Sequence, residues 1–308
     1  MLNLENGARI GLKNVLYMTD FSTSSEAALP VVRGIAAAYG ATVHALHVLL
    51  PDPYVGMSAE MAPALAEGKE EAATAQMRQL ESQLSGVGVK GYLVGNTAVW
   101  PAVEEAIAKH SIDLIVLGTS GRTGGSKWVL GSVAEGIFRR SFVPVMTVGP
   151  LARSESCCDG RFTRVLFATD FNPESLAAAP YAISLAEEND AKLTLLYVAG
   201  DPTERKRNME GRLSVAEAMH LLDRLVPSES AFWCRPETIV EYGHPAERIL
   251  EVAKERGSDL IVLGVRGTRH LLAATHLEGS TAHQVVAGAL RPVLTVRGEH
   301  KRENSRNA

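Results

Sequence analysis

Two segments of the chain combine small residues in a spacing suited to holding an anion. The first is Gly118-Thr-Ser-Gly121-Arg-Thr-Gly-Gly-Ser-Lys-Trp-Val-Leu-Gly131-Ser132, a Gly-x2-Gly-x9-Gly-Ser pattern. Glycines let the backbone reach positive φ and let a phosphate approach main-chain N–H groups. Gly131-Ser132 opens a helical stretch, so the free N–H groups and the positive dipole end of a helix would face the ligand, with the Ser132 hydroxyl as a further donor. A polyphosphate fits such a place without many cationic side chains. The segment is not a Walker A loop, because Gly-Lys-Ser/Thr is missing. It also lacks Gly-x-Gly-x-x-Gly after the first strand, so it is not the usual dinucleotide fingerprint. The second segment, Gly264-Val-Arg-Gly267 through Gly279-Ser280, has eleven residues where the first has nine. Its filling, TRHLLAATHLE, is more apolar, so the helix terminus survives while the approach to it is longer.

The elements that must position these segments come in two copies. Val15-Leu-Tyr-Met-Thr-Asp-Phe-Ser22 recurs as Val165-Leu-Phe-Ala-Thr-Asp-Phe-Asn172, Asp113-Leu-Ile-Val-Leu-Gly118 as Asp259-Leu-Ile-Val-Leu-Gly264, and Pro144-Val-Met-Thr-Val148 as Pro292-Val-Leu-Thr-Val296. Matches in the same order imply duplication of a whole domain. In the first copy, strands are predicted at 13–19, 43–49, 89–94, 112–117 and 143–148, and helices at 23–39, 59–85, 99–110 and 130–140. Strands of the second copy are predicted near 163–169, 192–198, 237–242, 258–263 and 292–297. Continuous apolar strands alternating with helices specify a parallel sheet covered on both faces. In such sheets ligands bind at the carboxyl ends of the strands. That rule selects Thr19-Asp20 and Asp170 after strand one, Val48 and Val198 after strand two, and the glycine segments after strand four. Asp20 has a second reading, as the cap of helix one.

The whole chain sets further bounds. Its 308 residues are 46% apolar and 21% charged, an ordinary balance for two globular cores. A net charge of −4, with neither half basic, argues against nucleic acid as a partner. No run approaches the roughly 18 apolar residues of a membrane span, and no signal-peptide pattern is visible. Three cysteines, two of them adjacent, make no disulfide framework, so the cytoplasm is the expected location. His44 and His47 in strand two, and His270, His276 and His283, lack metal-ligand spacing. No residue is singled out as catalytic. The expected layout is a first domain at 1–150, a linker at 151–161, a second domain at 162–300 and a disordered tail at 301–308.

The first copy resembles a universal stress protein domain of the ATP-binding type. Thr19-Asp20, Val48 and the Gly118, Gly121, Gly131, Ser132 series carry the resemblance, and the last matches that family's glycine signature in full. The resemblance implies Rossmann-like (adenine nucleotide alpha hydrolase-like) α/β domains, each with a five-stranded parallel sheet of order 3-2-1-4-5. It implies that Asp20 binds the adenosine part, that the Val48 backbone contacts adenine, and that Gly118 and Gly121 line the ribose and phosphate path. Gly131, Ser132 and the N–H of Val133 would hold the phosphates. In the second copy Asp170, Val198, Gly264, Gly267, Gly279 and Ser280 occupy the matching positions. The implied cofactor is ATP, alone or with Mg2+. The last strands of the two copies would pair as an intrachain pseudo-dimer, with a homodimer and an unidentified protein as further partners. The implied function is a non-catalytic ATP-binding regulator in the stress response. The alternatives are a slow ATPase and an interaction protein with a vestigial site.

Overall fold

The computed structural model describes residues 10–50, 61–95, 97–119, 130–149, 152, 161–200, 213–227, 236–265 and 280–298. The first half runs β1 (Asn14–Met18), α1 (Thr23–Glu26), α2 (Leu29–Tyr39), β2 (Thr42–Leu49), α3 (Met61–Gln83), β3 (Gly88–Gly95), α4 (Val99–His110), β4 (Leu114–Gly118), α5 (Ser132–Arg140) and β5 (Val145–Val148). The second runs β6 (Arg164–Ala168), α6 (Pro173–Leu176), α7 (Ala179–Glu188), β7 (Lys192–Ala199), α8 (Val215–Asp223), β8 (Glu237–Tyr242), α9 (Pro245–Glu255), β9 (Leu260–Val265), α10 (Thr281–Gly288) and β10 (Val293–Arg297).

One ten-stranded sheet results, in the order β3-β2-β1-β4-β5-β10-β9-β6-β7-β8. Read inward from either edge, each half has the expected 3-2-1-4-5 arrangement of parallel strands. The halves meet where β5 and β10 pair antiparallel, with Met146 opposite Leu294. Thr147 and Thr295, both buried, seal this seam by donating their hydroxyls to Val293 O (3.3 Å) and Val145 O (3.0 Å). Because the seam is antiparallel, the carboxyl ends of the strands, where ligands bind, point to opposite edges of the sheet in the two halves.

Alternate residues of the strands enter two cores, one on each face. Val15, Tyr17, Val43, Val116 and their second-half counterparts Val165, Phe167, Leu193 and Val262 pack on one side against α2, α3, α7 and α8. Leu16, Met18, Ile115, Leu117, Leu166 and Ile261 pack on the other against α4, α5, α9 and α10. Each fully buried aliphatic side chain contributes about 1.5–3 kcal/mol, and both cores run across the seam.

The single helix expected at 23–39 is two helices. Pro30 stands in the first turn of α2, and Pro180 does the same in α7. Proline cannot donate to a preceding turn and its ring collides with it, so the chain ends α1 and α6 after one turn and restarts. The short first helix leaves its N-terminus beside the end of β1.

Carboxylates tie the amino ends of the strands. Asp259 accepts from Thr163 N (2.8 Å), Thr163 Oγ1 (2.6 Å) and Arg164 N (3.0 Å), binding the starts of β6 and β9 together. Asp113 does the same for Lys13 N and Asn14 N in the first half. Asp259 is only 2% exposed. Its replacement by Ala is expected to destabilise the protein by about 2–3 kcal/mol, since hydrogen bonds to charged groups are the stronger kind and their donors would lose their acceptor. Urea unfolding would show this as a lower midpoint at unchanged slope.

Candidate functional site

The turn after β1 is built from the sequence Thr-Asp-Phe-Ser. Thr19 N donates to Leu46 O (3.0 Å), joining the ends of β1 and β2. Its hydroxyl accepts from Phe21 N (2.9 Å) and shares a hydrogen bond with Ser25 Oγ (3.1 Å). Phe21 takes a left-handed backbone, φ 57°, a conformation that costs a bulky residue on the order of 1–3 kcal/mol. The bend lets Asp20 Oδ1 accept from Ser22 N (3.0 Å) while Ser22 Oγ caps α1 by accepting from Ser25 N (3.3 Å). Asp20 is therefore not the helix cap; Ser22 is. The half-buried Asp20 carboxylate is fixed at the carboxyl end of β1.

Behind this turn, His47 at the end of β2 is buried, with Nδ1 2.8 Å from Thr19 O and its ring 4.5 Å from that of Phe21. A carbonyl only accepts, so Nδ1 carries the proton. His44 lies toward the amino end of β2, against Asn14 Oδ1 (3.2 Å), Tyr92 OH (3.3 Å) and the His110 ring (4.6 Å). Burial first, then His110 and Lys90, holds its pKa below the ordinary histidine value. Among the described residues no group of three or more His, Cys, Asp or Glu is arranged to hold a metal. Val48 and Val198 sit half-buried at the carboxyl ends of β2 and β7.

After β4 the reason for glycine is a close approach. A Cβ on Gly118 would lie 2.5 Å from Ser24 O, inside the backbone of α1. Gly264 is tighter still, 2.2 Å from Glu174 O and 2.3 Å from Ser175 Cα in α6. Neither has the positive φ expected of a glycine loop; the missing side chain lets the strand end dock on the first helix. Thr119 N then donates to Val148 O (3.0 Å), and Thr119 O accepts from Gly131 N (2.7 Å). That bond holds Thr119 and Gly131 side by side. Gly121, Arg122 and Lys127 lie outside the described residues, as do Gly267 and Gly279.

Gly131 is the N-cap of α5, in extended conformation (φ −61°, ψ 147°) and without a side chain to cap it. The first turn, Ser132, Val133 and Ala134, so presents main-chain donors not used by a side-chain cap. Val133 is 40% exposed, which marks the solvent side of that turn. Glu135, the acidic residue of this turn, forms an ion pair with Arg139.

The second half repeats the turn and alters its chemistry. Phe171 is again left-handed (φ 61°), Thr169 Oγ1 accepts from Phe171 N (3.0 Å), and Tyr197 replaces His47 against the phenyl ring (5.2 Å). Asn172 replaces Ser22, and its amide donates to Asp170 Oδ2 (2.8 Å), while its backbone N–H donates to Oδ1 (3.1 Å). Ser280 acts as the N-cap of α10, accepting from His283 N (3.2 Å). Sequence reasoning missed Phe21, Phe171 and Asn172 and weighed His47 only against a metal site; the recurring Asp-Phe and the change from Ser to Asn were the available signals.

A 3-2-1-4-5 parallel sheet with a bent turn after its first strand and a side-chain-free helix start after its fourth defines a Rossmann-like α/β protein, here in duplicate. The model of the Universal stress protein family matches residues 11–149 and again 161–297; the chain belongs to the universal stress protein family, as a tandem pair of its domains. It is 32% identical over 146 residues to universal stress protein MJ0531 of Methanocaldococcus jannaschii, covering 46% of this chain and 85% of that one. It is 26% identical over 221 residues to universal stress protein Rv2005c of Mycobacterium tuberculosis, covering 68% and 70%. Among solved structures, a universal stress protein from Archaeoglobus fulgidus shares the fold, with a TM-score of 0.70 at 23% identity over 93% of this chain and 97% of that one. Another universal stress protein has been solved in complex with cAMP; it is 24% identical, covers 45% of this chain and 99% of its own, and has a TM-score of 0.36.

Proposed function

We propose that this chain is a cytoplasmic, non-catalytic regulator that binds ATP in its first half. The observation that carries this reading is the start of α5: an uncapped helix N-terminus tied through Gly131 and Thr119 to the ends of β4 and β5, with β4 paired to β1, the strand that Asp20 follows. A helix end of this kind favours anions through its N–H groups and dipole. The phosphates rest on Gly131, Ser132 and the N–H of Val133, with Gly121 along their path. Asp20 accepts from the ribose hydroxyls, and the Val48 backbone receives adenine. A Mg2+ bound together with ATP would be held through the phosphate oxygens. Binding adds order at one end of α5 and shifts the population of surfaces built on it.

The second half is the weaker site in this reading. The Asn172 amide already engages Asp170, and the Ser280 hydroxyl already caps its helix. Calorimetric titration is expected to give one tight ATP per chain. Asn172→Ser is expected to strengthen a second, weaker binding event by severalfold; an unchanged second event would contradict the role given to that amide. The seam also bears on assembly. With β5 and β10 paired to each other, neither is an edge, so a homodimer must use another surface.

Competition among ATP, AMP, cAMP and adenosine tests the assignment of the ligand. Affinity should rise with the number of phosphates, because the helix terminus recognises them and not the base. A flat series would remove α5 from the site.

A further inference from the structure

We infer that Arg297, a residue of the second half, sets the position of α5 and thereby the phosphate grip of the first half. This rests on the reading of α5 as the phosphate helix. Arg297 ends β10, and its guanidinium Nη2 donates to the Arg139 carbonyl in the last turn of α5. Its Cζ lies 5.3 Å from the centroid of the Phe142 ring, just beyond the C-cap Ser141. Phe142 is 79% exposed, and the Arg297 guanidinium lies within cation–π range of its ring.

The electrostatics mark the contact as more than incidental. Arg297 Nε is buried without a hydrogen-bond partner, and among the described residues no carboxylate pairs with its guanidinium. Burial draws its pKa below the ordinary arginine value. A desolvated cation is costly unless something compensates it. Here the compensation is the negative end of the α5 dipole together with the face of an aromatic ring. Nine residues make α5 about 13 Å long. Arg297 thus holds one end of a short rigid rod whose other end opens at Ser132.

The arrangement is one-sided. The repeat places Gly149 where the second half has Arg297, and Gly149 lies against Ala289, the C-cap of α10, so closely that a Cβ would meet Ala289 O at 3.1 Å. The second half's helix is met by bare backbone, whereas the first half's is held by a cation. The held helix is the one whose N-terminus no side chain caps. Arg297 is therefore a positioning residue, acting on phosphate through α5 and touching none itself.

The test uses the full chain with Arg297→Met and Arg297→Lys, titrated with ATP and with adenosine, and followed by hydrogen exchange at Ser132, Val133 and Ala134. Arg297→Met is expected to weaken ATP by roughly tenfold, the scale of a favourable charge at a helix end, and to leave adenosine unchanged. Arg297→Lys should recover most of the loss. Exchange at the three amides should quicken in Arg297→Met without nucleotide, while β9 stays protected and reports an intact second half. Equal losses for ATP and adenosine, or no loss for either, would overturn the inference. If the wild-type chain binds no ATP, the nucleotide reading fails by itself, and the exchange experiment decides about Arg297. Faster exchange in Arg297→Met upholds its hold on α5, and unchanged exchange refutes it.

Discussion

Ser132→Asp is expected to lower ATP affinity by a hundredfold or more while leaving the protein as stable as before, or slightly more so. The two effects separate because one charge acts on them with opposite sign. A carboxylate in the first turn of α5 meets the positive end of the helix dipole, which contributes roughly 0.3–1 kcal/mol to the fold. The same carboxylate faces the phosphates of the ligand. Two like charges about 4 Å apart near a protein surface repel by about 4 kcal/mol, and about two-thirds of that already equals the roughly 2.7 kcal/mol that makes a hundredfold change. Parallel thermal melts and ATP titrations provide the check. A loss of stability together with affinity would mean that Ser132 serves packing. Retained affinity would mean that phosphate lies elsewhere.

Gly264→Ala should be the most damaging single methyl in the described structure. The added Cβ would sit 2.2 Å from Glu174 O, 2.3 Å from Ser175 Cα and 2.8 Å from Glu174 C, all backbone atoms of α6. No rotamer change relieves such a contact, so α6 or the end of β9 must move. Overpacking of a rigid site costs about 1–3 kcal/mol and more where backbone is struck, and we expect the upper end, about 3 kcal/mol. At roughly 2–4 °C per kcal/mol, the second half should melt about 6–12 °C earlier. Gly118→Ala meets Ser24 O at 2.5 Å and should be somewhat milder for stability. It should also weaken ATP, because α1 begins in the turn that carries Asp20. Urea unfolding of both variants measures the pair, and a midpoint unchanged in Gly264→Ala would contradict the close docking of β9 on α6.

Much of this architecture was legible in the sequence because it is local or repeated. Apolar runs such as Leu114-Ile-Val-Leu117 announced strands buried on both faces, and duplication of the strand-end residues announced two copies. The break in the first helix was also written there, in Pro30 and Pro180, though the helical periodicity around them is the louder signal. The reason for Gly118 and Gly264 was not legible: a glycine permits either a left-handed backbone or a close neighbour, and only the position of α1 and α6 decides between them. The left-handed Phe21 and Phe171 were hidden for the opposite cause, since a phenylalanine gives no hint of positive φ; the bend is imposed by the Thr19 and Thr169 hydroxyls accepting from their backbone N–H groups. Asp20 and Asp170 read as equals in the sequence. The difference between them lies two residues on, where a serine caps a helix and an asparagine turns back onto the carboxylate. Arg297 was illegible altogether, because its partner lies across the seam, 158 residues away in the chain.

The central claim is that the start of α5 receives the phosphates of ATP. Hydrogen exchange of the wild-type chain, without ATP and with ATP sufficient to fill the tight site alone, tests it at single-residue resolution. Protection should appear at Ser132, Val133 and Ala134 and at the turn from Thr19 to Ser22, with the matching amides at Thr281 and Ala282 little changed. ATP that binds without slowing exchange at Ser132–Ala134, or that fails to bind, would contradict the account.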